Sequence, residues 1–112
     1  MKIGFDLEKC VLGFPEIFGP MLVALHDKGH ELFCIANHHV DDWPELVEKL
    51  AAVGISGELL DTSLMRTEEL TTPAANKMRM IEQCDFAFDD WGHLQQLVTK
   101  PIFVVSGRKA AQ

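Results

Sequence analysis

The sequence predicts an α/β fold, an open parallel sheet with helices on both faces, formed as one domain over residues 1–112. Three features point there. Short apolar runs recur at residues 2–6, 31–36, 84–88 and 102–105. They are apolar nearly throughout instead of alternating, the pattern of strands buried on both faces. Segments with apolar residues at helical spacing lie between them, as right-handed crossovers joining parallel strands require. A chain of 112 residues is also close to the commonest domain size, long enough for one core.

Taken in order, the first run ends in an acid, Asp6. Ile17, Phe18, Met21, Leu22 and Leu25 then form the inward face of a helix that Lys28-Gly29 closes with a cationic last turn and a glycine stop. Glu31-Leu32-Phe33-Cys34-Ile35-Ala36 is the second strand, followed by the polar turn Asn37-His38-His39. Asp41-Asp42 caps a second helix, with Pro44 in its first turn, an apolar face of Trp43, Leu46, Val47, Leu50 and Val53, and Gly54 at its end. Residues 58–60 are expected as a short edge strand. Thr71-Thr72-Pro73 starts a third helix that sends Ala75, Met78 and Ile81 to the core. The run at 84–88 is followed by Asp89-Asp90, and residues 102–105 form a last, β-branched strand.

Composition excludes several classes of function. The 47% apolar and 24% charged content is that of a soluble globular protein. The formal net charge of −7 argues against a protein that grips nucleic acid through its phosphates, since such binding needs a positive surface. No apolar run approaches the roughly 20 residues of a membrane helix, and Asp6 interrupts the first one before it could act as an export signal. Cys10, Cys34 and Cys84 are too widely spaced for a Cys-x-x-Cys site, so a cytoplasmic protein is expected, with Cys34 and Cys84 as packing residues in or beside strands.

In open parallel sheets ligands sit at the carboxyl ends of the strands. That puts Asp6-Leu7-Glu8, Ala36-Asn37-His38-His39 and Asp89-Asp90 at one rim. The arrangement resembles the haloacid-dehalogenase superfamily. Ile3-Gly4-Phe5-Asp6-Leu7-Glu8 is similar to its first motif, a strand ending in Asp-x-Asp, and Phe86-Ala87-Phe88-Asp89-Asp90 to its fourth. Lys77, on the helix before that strand, matches the third. The resemblance implies a Rossmann-like fold and a Mg²⁺-dependent phosphohydrolase working through an aspartyl-phosphate. Asp6 would be the nucleophile, Glu8 the general acid and base, and Lys77 the cation that covers the phosphate and keeps Asp6 ionised. Asp6, the backbone carbonyl of Glu8 and Asp90 would hold Mg²⁺, with Asp89 a direct or water-bridged partner. Asn37 and His38, with Lys77, would contact substrate.

Two departures set a second reading beside the enzyme: a binding or regulatory module that keeps the cation and phosphate site with weakened chemistry. Glu8 stands where the family has Asp and is longer by a methylene, and Ala36 followed by Asn37 stands where it has Thr or Ser. About 24 and 40 residues separate the motifs, too few for the family's cap domain. A capless member implies a large phosphorylated substrate, such as a macromolecule, or a homo-oligomer whose neighbour covers the site. Residues 62–72 are the expected contact segment. His39 and His93 are expected as exposed loop and helix-start residues. The response-regulator receiver has its acid pair after the first strand and its lysine after the fifth, the wrong order for this chain.

Overall fold

The computed structural model describes residues 1–69 and 72–106. Four strands, β1 (Lys2–Phe5), β2 (Glu31–Cys34), β3 (Phe86–Asp89) and β4 (Ile102–Val104), form one parallel sheet in the order β2-β1-β3-β4. Three helices, α1 (Pro15–Asp27), α2 (Trp43–Ala52) and α3 (Pro73–Glu82), connect them. In register, Ile3 lies between Leu32 and Phe86, and Phe5 between Cys34 and Phe88. All strands therefore end at one rim, with Asp6 and Asp89 side by side.

Each sheet face has its own core. On one, Ile3, Phe5, Leu32 and Cys34 pack with Phe18 and Leu22 of α1 and Leu46 and Leu50 of α2. On the other, Phe33, Ile35, Ala87 and Ile102 pack with Met80 and Ile81 of α3. Phe5, fully buried, stacks on Phe88 at 5.3 Å and meets Phe18 edge-on at 6.1 Å. A buried aromatic of this kind is worth about 3–5 kcal/mol against alanine, and this one anchors the strand end that carries Asp6. Cover is incomplete at the β4 edge, where Phe103 and Val104 remain 53% and 58% exposed. Among the described residues, no helix is long and apolar enough to cross a membrane.

The helix ends follow local chemistry. Gly29 and Gly54, at φ +87° and +80°, take the left-handed conformation that closes α1 and α2. The Thr72 hydroxyl accepts from Ala75 N at 3.1 Å and Pro73 occupies the first turn, so α3 starts where its cap predicts; Thr71 lies outside the described residues.

Three expectations are corrected. Residues 58–60 are not a strand: Gly57–Leu59 is a 3₁₀ turn in which the Ser56 hydroxyl accepts from Glu58 N, and extended pairing is confined to a single bridge between Asp61 and Phe33. Ala75 is exposed and Met78 half-buried, because α3 buries Asn76, Lys77, Met80 and Ile81. Ile17 is 54% exposed, because α1 turns Phe18 and Leu22 inward and leaves its neighbour about 100° off that stripe.

All three cysteines are buried and free. Burial pushes the Cys34 thiol up to about 12 and the Cys84 thiol to about 11. Cys10 is driven higher still, by burial and then by Asp6, Asp89 and Asp90. Because the thiolate is the reactive form, the folded protein should titrate no thiol with a disulfide reagent near pH 8, and the denatured chain all three. Rapid labelling of any one in the native state would contradict this packing.

Candidate functional site

The site starts where β1 stops. Asp6 N donates to Phe88 O at 3.0 Å, which holds the aspartate against the end of β3. The chain then winds into a π-helical turn, Leu7–Val11, with Val11 N bonded to Asp6 O and Leu12 N to Leu7 O, five residues back in each case. Leu7, Cys10 and Val11 are buried beneath it, while Glu8 and Lys9 stay at the exposed rim. Such turns are rare and recur beside functional sites.

At the next strand end, Asp89 is fully buried, and its Oδ1 accepts from Trp91 N at 3.0 Å. Lys77, 2% exposed, reaches in from α3 and has three oxygens within 3.0 Å of Nζ: Asp6 Oδ1 at 2.9 Å, Ile35 O at 2.7 Å and Asp89 Oδ2 at 3.0 Å. The Trp91 ring lies 5.6 Å from the same ammonium, within cation–π range. Asp90 is partly buried, with Lys9 at 3.8 Å.

Burial alone would lower the Lys77 pKa, but Asp6 and Asp89 outweigh it and hold the ammonium above its ordinary value. Asp89 moves the other way for a carboxylate: burial, with Asp6 adding and Lys77 opposing, pushes it up to about 6. The cluster is therefore short of positive charge.

Asp6, Asp89 and Asp90 each offer an oxygen within 4.8 Å of the other two. Opposite ligands of an octahedral Mg²⁺ stand about 4.2 Å apart, so shifts of a few tenths of an ångström, or one bridging water, would let all three reach one ion. Asp89 Oδ2 is buried, and among the described residues its partner is the Lys77 ammonium at 3.0 Å, which it shares with Asp6. Carboxylate oxygens alone suit a hard cation such as Mg²⁺.

The other sequence-predicted residues surround a cavity of about 160 Å³ lined by Asp6, Glu8, Lys9, Asn37, His38 and Lys77, among others. At about 30 Å³ per water, it has room for a phosphoryl group and a few waters, and the rest of any ligand must lie outside. Glu8 is tied at the rim, with Oε1 3.3 Å from His38 Nε2 and 3.9 Å from Lys49 Nζ. His38 Nδ1 is 3.5 Å from Asp42, so the histidine bridges two acids. Asn37 donates to Pro73 O at 3.1 Å and accepts from Asn76 Nδ2 at 2.8 Å, which fastens the start of α3 to the polar turn after β2. His39 accepts from Asp41 N, and His93 lies exposed beside Trp91. Of residues 62–72, Met65 is buried, most others are partly or fully exposed, and Leu70 and Thr71 lie outside the described residues.

Sequence reasoning missed Trp91, Lys9 and Asn76. Their signal was only adjacency to Asp90, Glu8 and Lys77, which by itself marks no chemistry. No family model, curated protein or solved structure matches the chain.

Replacing Lys77 with methionine would leave Asp6 and Asp89 facing each other without an ammonium. The expected loss in urea unfolding near pH 7.5 is about 3–5 kcal/mol. It should shrink near pH 5, where a proton on Asp89 takes the ammonium's place. In the parent protein, Asp89 keeps its proton up to about 6 when folded and releases it near 3.8 when unfolded. The folded state thus binds more protons across that window, this group makes stability fall as pH rises through it, and Asp89→Asn should flatten the slope. An equal loss for Lys77→Met at both pH values would mean that the side chain acts by packing alone.

Proposed function

We propose that this chain is a capless, haloacid-dehalogenase-like phosphohydrolase that uses Mg²⁺ and forms an aspartyl-phosphate on Asp6. The observation that carries the reading is the cluster of Asp6, Asp89 and Asp90 at the carboxyl ends of parallel strands, with the buried Lys77 ammonium paired to Asp6 and Asp89. A phosphomonoester brings about two negative charges to a carboxylate nucleophile, and attack requires that repulsion to be neutralised. Mg²⁺ held by Asp6, Asp90, Asp89 and the Glu8 carbonyl would supply that charge.

The remaining steps fall to the chain. Lys77 donates to Oδ1 of Asp6, whose second lone pair would face the cation, and orients the carboxylate so that Oδ2 attacks phosphorus. The P–O bond to the leaving alcohol breaks as the Asp6–phosphorus bond forms, and Glu8 gives the departing oxygen its proton. Glu8 then takes a proton from water, whose oxygen attacks the same phosphorus, releasing inorganic phosphate and restoring Asp6. Glu8 must leave His38 and Lys49 to do this, and its side chain, 51% exposed, has the freedom to turn. Asn37 and His38 line the phosphoryl pocket.

A second reading, a binding module with weakened chemistry, is favoured by that same tie of Glu8 to His38 and Lys49 and by the absence of a hydroxyl at Ala36. Activity separates the two. Hydrolysis of a phosphomonoester should require Mg²⁺, disappear in Asp6→Asn and fall at least tenfold in Glu8→Gln. Glu8→Asp should keep or raise the rate if the longer side chain misplaces the proton. Magnesium at ten times its Kd should stabilise the fold by about 1.4 kcal/mol, roughly 5 °C in Tm, relative to EDTA. A magnesium shift without turnover on any phosphomonoester selects the module, and the absence of both removes the cation site.

A further inference from the structure

A second cavity, about 530 Å³, is lined by Arg66, Arg79, Asn76, Glu68 and Glu69, among others. Both arginines are tied to the Asp6 site by structure. Arg79 donates to Asn76 Oδ1 at 2.8 Å, and Asn76 donates to Asn37, which lines the phosphoryl pocket. Arg66 is bridged through its backbone to His39, with Val40 N bonded to Arg66 O at 2.9 Å, immediately after the His38 turn.

Arg66 donates to Glu68 O and Arg79 to Leu64 O, both neutral carbonyls, and among the described residues neither guanidinium forms an ion pair, although the chain carries a net charge of −7. Arg66 Nε is buried and, among the described residues, has no hydrogen-bond partner. A guanidinium fork matches the paired oxygens of a phosphate or carboxylate.

We infer that this cavity is a second anion subsite, so that the phosphomonoester presented to Asp6 carries another anionic group, phosphate or carboxylate, held by Arg66 and Arg79. The inference rests on the proposed phosphohydrolase for its first anchor. Glu68 and Glu69 on the exposed wall weaken the hold on any free ion, and a group tethered through the first phosphoryl overcomes this by its effective concentration.

Two measurements on the full chain test it. In EDTA, where the acidic Asp6 pocket repels anions, ¹⁵N spectra titrated at constant ionic strength with inorganic phosphate or with succinate should show saturable shifts at the Arg66 and Arg79 Nε–H signals. The arm that saturates identifies the group, and Arg66→Gln should weaken it about tenfold. Arg66→Lys, which keeps the charge and loses the fork, should fall between; melting curves establish that each variant is folded. With Mg²⁺, Arg66→Gln should raise KM about tenfold for alkanediol bisphosphates or ω-carboxyalkyl phosphates of suitable length and leave p-nitrophenyl phosphate unaffected. No saturable shift with either anion, or an equal effect on the mono-anchored substrate, overturns the subsite. Anion binding without any hydrolysis keeps the subsite and sinks the phosphohydrolase.

Discussion

The Lys77 ammonium is the contact on which the rest of the site depends. A lysine cannot be buried in an apolar layer unless its lost hydration is replaced. Here α3 delivers the charge, and the ends of β1, β2 and β3 each contribute one oxygen, through Asp6, Ile35 and Asp89. One nitrogen therefore fixes the relative positions of four elements. Removing it would disturb the carboxylates' geometry and their charge together, so stability and site assembly are coupled here.

The compensation is incomplete, which gives the site its chemical character. Three carboxylates lie together, of which Asp6 and Asp89 share the buried ammonium, and Asp90 meets only Lys9, from the surface. A proton on Asp89 relieves the excess as pH falls, and the divalent cation proposed above would do the same at higher pH. Farther out, His38 lies between Glu8 and Asp42, and Lys49 approaches Glu8 from the other side, a more exposed rim than the buried floor. Elsewhere the two apolar layers on the sheet supply the stability that tolerates such a locally unfavourable cluster.

What the sequence discloses depends on how local the physics is. β1 and β2 were legible because their apolar runs are buried on both faces, the exposed edge strand β4 through its β-branched residues, and Gly29, Gly54 and Thr72-Pro73 announce helix ends through local preferences. The approach of Asp6 to Asp89 and Asp90 was also legible, since parallel topology sends every strand end to one rim. The phase of α3 was not: its buried stripe includes Asn76 and Lys77, which periodicity assigns to water. Their burial depends on partners more than thirty residues away. The π-helical turn after Asp6 and the 3₁₀ turn at Gly57–Leu59 carry no distinctive local signal either, and Arg66 lies in a loop where periodicity says nothing.

The sheet order has a consequence for how the molecule comes into being. β1 and β3 are adjacent, yet Ile3 pairs with Phe86, and closing so long a loop is slow in proportion to the chain entropy it removes. As the chain emerges during synthesis, β1, α1 and β2 can associate early, through neighbouring segments. At that stage Asp6 sits at an open, hydrated edge, with neither its counter-ion nor its neighbouring acids yet made. Lys77 comes next, and Asp89 only after it. The charge that neutralises the first carboxylate thus arrives before the second one has to be buried, an order that spares the nascent domain a period in which two acids confront each other without a cation.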